Sequence, residues 1–278
     1  MTPIAATLVI IAAGFLGLAV WRQMDRLHDT RVSAELLLLA GQPVQRFEGL
    51  VVADLPEPAQ RYFKYTIAEG APLITAVEIE MKGEIGLGTK KRPDYRLFRA
   101  QQVLAPPYGF VWRLRAGVLS GSDGATPQTS WTRFWLFGVI PIVRMSGQDH
   151  HRSAFGRLVA EGAFWSPASL LPSETVRWEP IDKHTAQAVV THGSHVQSVE
   201  ITVNEQGQPV RVVIQRWSNA NKEKVFRKQP FGGDLADFRD VEGYKLPFRV
   251  EGGNLIGTNA YFPFFKATVE RMRFGKVA

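Results

Sequence analysis

Val77-Glu78-Ile79-Glu80-Met81-Lys82 alternates apolar and charged side chains without a break. A period of two is the mark of a strand with one dry face and one wet face. The pattern recurs downstream. Arg96 to Ala105 is a second strand candidate. Phe110-Val111-Trp112-Arg113-Leu114-Arg115 is a third, with Phe110, Trp112 and Leu114 on one face and Arg113 and Arg115 on the other. Trp131 to Phe137 and Val139 to Met145 add two more, broken at Gly138 and Pro141. Thr89-Lys90-Lys91-Arg92, a tight basic cluster, reads as a solvated hairpin loop between the first two.

The period then becomes helical. Phe155, Leu158, Val159 and Gly162 fall at helical spacing, with Asp149 or Ser153 as the expected cap and Ser166-Pro167 as the stop. Strands resume at Val176–Glu179, Thr185–Thr191 and Val196–Val203. Asn204-Glu205-Gln206-Gly207 turns the chain into Val210–Trp217. Leu235–Val241 and Tyr244–Val250 pair across Glu242-Gly243, and Tyr261–Phe274 closes the series. Roughly ten antiparallel strands around one helix do not make a βαβ pattern. The expected fold is mainly β (α+β): an N-terminal transmembrane helix, then a large curved antiparallel sheet, half-barrel or barrel, packed around one central helix.

Upstream of the first strand, Glu57 to Tyr65 reads as a short helix. It takes Pro58 in its first turn and tucks Tyr62 and Phe63 onto the sheet. Gln42 to Asp54 reads as a linker. Met24 to Ala40 reads as a helix continuing from the apolar stretch before it, with a Leu36–Leu39 run, ended by Gly41 and Pro43. Before it, Pro3 to Trp21 carry no charge. A helix needs about 20 mainly apolar residues to cross a bilayer core. No basic side chain precedes this stretch, and Val20-Trp21-Arg22 is a poor cleavage site, so an uncut anchor is expected over a signal peptide. The division is therefore residues 1–22 as anchor, 23–54 as juxtamembrane helix and linker, and 55–278 as one half-barrel domain. Arg22, Arg26 and Arg31 follow the span, which favours the cytoplasmic side for the domain.

With 45% hydrophobic and 21% charged residues in 278, the chain has enough apolar material for a packed core. Its net charge of +7 suits nucleic acid or an anionic membrane. The anchor favours the lipid bilayer as partner, and no nucleic acid is expected. The absence of cysteine decides little about compartment.

Motifs for chemistry are sparse. No Gly-x-Ser-x-Gly, phosphate loop or dinucleotide fingerprint occurs. His192-Gly193-Ser194-His195 places two imidazoles at opposite strand parity, so they read as polar turn residues, not a ligand pair. Asp149-His150-His151 reads as a cap and its neighbours. No metal, cofactor or catalytic residue is expected. The segment Arg152 to Trp178 is richer. Arg157 and Glu161 are one helical turn apart and can pair. With Trp165, Arg177 and Trp112 they form the candidate ligand site at the mouth of the curved sheet. Trp131, Phe134, Trp135, Phe137, Phe164, Phe262, Phe264 and Phe265 are expected around the same concave surface, as core or cavity lining.

Three strings also carry a family resemblance. They are Leu55-Pro56-Glu57-Pro58-Ala59-Gln60-Arg61-Tyr62-Phe63-Lys64-Tyr65, Gly109-Phe110-Val111-Trp112-Arg113, and Trp165-Ser166-Pro167-Ala168-Ser169-Leu170-Leu171-Pro172 with Val176-Arg177-Trp178-Glu179. They resemble an uncharacterised bacterial family of unknown function, DUF6544 or DUF6920, over roughly Leu55 to Phe274. The bacterial resemblance implies a single-pass inner-membrane protein. Phe238-Arg239-Asp240-Val241-Glu242-Gly243-Tyr244-Lys245-Leu246-Pro247 is similar to a hairpin of LolA- and LppX-type lipoprotein-carrier half-barrels. That likeness implies a cavity for acyl chains. The expectation is a membrane-anchored, non-catalytic binding or carrier protein for a lipid or other apolar ligand. The alternatives are a membrane-bound hydrolase or isomerase with an apolar substrate, and a membrane scaffold.

Overall fold

Period-two segments pair with their sequence neighbours wherever a short turn allows it, and here they build two meanders. The structure, a computed structural model, describes residues 2–39 and 45–275. The first meander runs β1 (Val77–Gly86), β2 (Tyr95–Ala105), β3 (Gly109–Ala116), β4 (Leu119–Ala125), β5 (Ser130–Leu136) and β6 (Ile140–Met145). The second runs β7 (Val176–Pro180), β8 (Thr185–His192), β9 (His195–Val203), β10 (Pro209–Ser218), β11 (Arg227–Val241), β12 (Tyr244–Asn254) and β13 (Phe262–Phe274). Antiparallel pairing of β1 with β13 fuses them into one 13-stranded sheet whose edges are β6 and β7.

Among the described residues, three α-helices attach to it: α1 (Pro3–Leu39), α2 (Glu57–Thr66) and α3 (Gln148–Trp165). The chain leaves one edge at β6, crosses the sheet as α3 and enters the other edge at β7. α3 packs on strands as far apart as β2, β5, β9, β10 and β12. A sheet can offer all of these to one helix only by curving around it, so the architecture is an open half-barrel with α3 inside. Phe155, Leu158, Val159, Ala163 and Trp165 of α3 join the main core with Phe110, Trp112 and Leu114 of β3. α2 seals one end of that core with Tyr62 and Phe63, both without exposed surface.

Several expectations change. The sheet has 13 strands: twelve match segments read from the sequence, and β4 is the one it passed over. β4, Leu-Ser-Gly-Ser-Asp-Gly-Ala, carries no apolar alternation because its neighbour supplies the bulk. A Cβ at Gly121 or Gly124 would collide with the rings of Phe134 or Trp131 on β5. β11 begins at Arg227, well before Leu235. Neither Asp149 nor Ser153 caps α3; Gly147 precedes it, without a side-chain cap. The turn at Glu242-Gly243 is as expected, both residues having positive φ as a tight hairpin requires.

α1 is continuous, as expected, and the larger revision concerns where its second half packs. Its 37 residues form one unbroken helix, about 55 Å long at 1.5 Å per residue. The most apolar window has no buried residue, whereas Arg22, Asp25, Asp29, Val32, Ser33 and Leu36 are buried. They lie on the outer face of the sheet, where Val32 and Leu36 meet Val103, Val111 and Trp131. The expected stops at Gly41 and Pro43 fall outside the described residues. Trp131 and Trp135 therefore belong to the convex face under α1, not to the concave surface, and Phe137 is an exposed turn residue.

Candidate ligand-binding site

Between α3 and the concave face lies a chamber of about 260 Å³. Its walls are mainly apolar: Trp112 from β3, Ala160, Phe164 and Trp165 from α3, Val212 from β10, and Phe231, Leu235, Val250, Phe264 and Phe265 from β11 to β13. The space has a specific cause. Gly233 pairs with Gly252 at the inward parity of Leu235 and Val250, so neither strand sends a side chain into it there, and their neighbours Gly232 and Gly253, paired on the opposite face, complete a glycine block. A Cβ at Gly232 or Gly233 would also collide with a neighbouring strand's carbonyl, which ties this glycine block to the close approach of the strands.

A polar cluster closes one end. Arg157 donates from Nε to Glu161 Oε1 and from Nη1 to Asp123 Oδ2, each at 2.6 Å. Gln102 donates to the other Glu161 oxygen, and Thr132 donates to Asp123 Oδ1 at 2.7 Å. Arg157 also stacks over Phe110 and Trp112, 4.5 and 5.0 Å from the ring centres. Burial alone would lower the Arg157 pKa, but the charges of Glu161 and Asp123 outweigh it and the pKa is raised. Arg157 is thus a permanent, doubly paired cation fixing α3 to β4.

Arg216 is different. It reaches the same cluster from β10, donating Nε to the Ser153 carbonyl and hydroxyl at 3.3 and 3.1 Å. Its guanidinium lies 4.7 Å over Phe231. Burial and the nearby Arg157 charge push its pKa down to about 10, against the pull of Asp123 and Glu161. Among the described residues, no carboxylate lies within ion-pairing distance of it. Trp112 Nε1 is likewise buried without a partner. Two donors are thus available at the polar end of an apolar chamber. Asp123, Arg216 and Phe264 also border an adjoining recess of about 190 Å³.

The structure gathers Arg157, Glu161, Trp165 and Trp112 around one chamber. Trp165 contributes its ring and anchors its N–H on the Pro247 carbonyl at 3.2 Å. Arg177 is not among the chamber lining; its side chain is 65% exposed on the edge strand β7 and pairs with Glu179. Asp123 and Arg216 were missed in the sequence. Asp123 sits in the one strand without a periodic signal. Arg216 shares the parity of Val212 and Ile214, the core-facing residues of β10, so an arginine at an inward position was readable.

The histidines also rearrange. His192 and His195 are direct cross-strand partners, because a two-residue turn restores them to the same face. His195 Nε2 lies 3.3 Å from His151 Nδ1. His150 is held between the Ser130 and Thr132 hydroxyls at 2.7 and 2.9 Å, and Asp149 accepts from the Trp217 indole at 2.7 Å. Among the described residues, no group of three or more acidic, His or Cys side chains could hold a metal ion.

The profile of a family described as "Family of unknown function (DUF6544)" matches residues 45–267. Solved structures similar to the chain include a LolA superfamily protein from Nitrosomonas europaea, with 11% identity, a TM-score of 0.41, and 80% of this chain and 93% of that one covered. A second, from Vibrio parahaemolyticus, is a domain named for outer-membrane lipoprotein sorting. It has 9% identity and a TM-score of 0.39, with 72% and 85% covered. No curated protein matches the chain.

Proposed function

This chain belongs to the family of unknown function DUF6544, and we propose that it is a membrane-anchored binding or carrier protein for a lipid or other apolar ligand. The chamber carries this reading. It is walled by aromatic and aliphatic side chains, left open where Gly233 faces Gly252, and ends at the unpartnered Trp112 indole N–H and at the Arg216 guanidinium, which is held by Ser153 but has no carboxylate partner among the described residues. Ligand sites combine an apolar wall with a few convergent polar groups in this way. An acyl or similar apolar body fits the wall, and an acceptor atom at its end fits Arg216 and Trp112. Arg157 and Glu161 hold the wall in place by pairing with each other and with β4.

The anchor reading has support in α1. The apolar stretch continues without a break into a segment packed and ion-paired on the domain, so cleavage near Trp21 would have to cut inside a helix. Arg22, Arg26 and Arg31 after the span favour a cytoplasmic domain at the inner membrane.

The test is binding of a dansyl-labelled fatty acid to residues 22–278, a fragment that keeps the Asp25 contacts of α1 with the sheet. Saturable binding is expected. Ala160→Phe, which places a ring in the chamber, should weaken it about tenfold, roughly 1.4 kcal/mol, with little change in melting temperature. Equal binding by a folded Ala160→Phe protein would remove the chamber from the function.

A further inference from the structure

A second cavity lies on the opposite face of the sheet. It is a cleft of about 580 Å³ between α1 and the outer surface of β1 to β4, and Arg22, Arg26, Arg99, Arg113 and Arg115 all line it. Three carboxylates share the lining, but they do not neutralise it. Glu270 is taken by Lys82 at 2.7 Å and Arg99 at 3.2 Å. Asp29 is buried, which raises its pKa, and it lies 3.8 Å from His28. Glu80 completes the set. Among the described residues, Arg26, Arg113 and Arg115 have no carboxylate within ion-pairing distance.

Two of these arginines are also short of hydrogen-bond partners. Arg22 is only 8% exposed and donates to the Ser120 hydroxyl at 3.2 Å. Its Nε is buried without an acceptor, and so is that of Arg113. Buried polar groups are normally satisfied, so orphaned donors beside excess positive charge point to an anionic ligand.

The geometry of α1 supplies the source of that anion. Trp21 packs edge-on against Trp135 at 5.5 Å, and Arg22 contacts Ser120. Both sheet residues lie near the turns that join β3 to β4 and β5 to β6. Successive α1 contacts, His28 on Trp131 and Leu36 beside Gly109, run away from those turns. The apolar stretch before Trp21 therefore leaves past them. The same end exposes Val118 (51%), Phe137 (66%) and Ile140 (46%), the side chains expected at a bilayer surface. Arg22 and Arg26 then stand at headgroup level, with the cleft beside them.

We propose that this cleft binds the phosphate-bearing headgroup of an anionic membrane phospholipid and seats the half-barrel against the bilayer. The proposal rests on the anchor reading of α1 and not on the interior chamber. The test uses the full chain in mild non-ionic detergent, with native mass spectrometry of bound phosphatidylglycerol and phosphatidylcholine. The wild type should retain phosphatidylglycerol about tenfold better, and the Arg26→Gln, Arg113→Gln, Arg115→Gln triple variant should lose that preference. Arg26→Gln alone, at an exposed helix position, should show a smaller loss in a protein whose folding is not in question. Equal retention of both lipids by the wild type would overturn the proposal. So would a preference that the triple variant keeps, or one abolished by millimolar inorganic phosphate, which would mark a site for a soluble anion. Alkaline carbonate washing of membranes reads the anchor separately. Release of the chain would refute the anchor whatever the lipid preference.

Discussion

The two faces of the sheet are each clamped to a helix by buried charge, with the polarity reversed. On the convex face α1 supplies the carboxylate. Asp25 accepts from Arg144 at 3.0 and 2.6 Å and from the Trp135 indole at 2.9 Å, with Arg133 at 3.5 Å. On the concave face α3 supplies the cation, Arg157, and β4 supplies Asp123. The difference lies in what surrounds the clamp. Around Asp25, Trp21 and Trp135 pack edge-on and Arg144 stacks on both rings. Around Arg157 the glycine block leaves space, and the clamp becomes one wall of a chamber. The same device fastens a helix in one place and frames a cavity in the other.

Breaking the concave clamp should cost most. Arg157→Met leaves the mostly covered Asp123 and Glu161 without their cation, and a loss of about 3–5 kcal/mol in urea unfolding is expected. Removing all three charges together should recover most of that loss, because an absent pair is cheaper than a broken one. A triple variant no more stable than Arg157→Met would contradict the account.

The convex clamp should cost somewhat less, since Arg133 and Arg144 stay partly in water. Asp25→Ala is expected to lose about 2–4 kcal/mol and to speed hydrogen exchange in Asp29–Leu36 of α1 ahead of α3. Exchange that rises equally in both helices would mean the two faces are not separately fastened. A chain shortened to begin at Thr30 should behave like Asp25→Ala, because it lacks the same carboxylate.

Acidification gives the smallest and most graded contrast. Burial lowers the pKa of His28 on the convex side, aided by Arg133. Burial also lowers His150 on the concave side, aided by Arg216 and His151 and opposed by Asp123. A histidine whose folded pKa is depressed binds protons more readily when unfolded. Stability should therefore be full above the unfolded value of about 6.5 and fall as pH drops through it. Melting temperatures between pH 7.5 and pH 5.5 should decline, and His150→Gln should flatten the slope more than His28→Gln if the concave face responds first. A slope unchanged by either substitution would exclude both groups.

The fold was legible where side chains alternate. Phe110-Val111-Trp112-Arg113-Leu114-Arg115 assigns its inner and outer faces directly, and so does Val77 to Lys82. It was illegible where the information lies across the sheet. β4 is a strand because Trp131 and Phe134 cover its glycines, and no local pattern records that. The docking of α1 was hidden for a related reason. Asp25 looks like a flanking charge until the distant Arg133, Arg144 and Trp135 are placed around it. Of the candidate site, Arg157 and Glu161 were readable from helical spacing. Arg177 misled because nearness in sequence to Trp165 does not survive the passage from α3 to the edge strand β7.

The measurement that bears most directly on the central claim is native mass spectrometry of the full chain released from detergent, followed by organic extraction. An extractable apolar mass is expected on the wild-type protein and should be absent from folded Ala160→Phe. A clean apo mass on the wild type, with no uptake of added fatty acid or phospholipid, would contradict it.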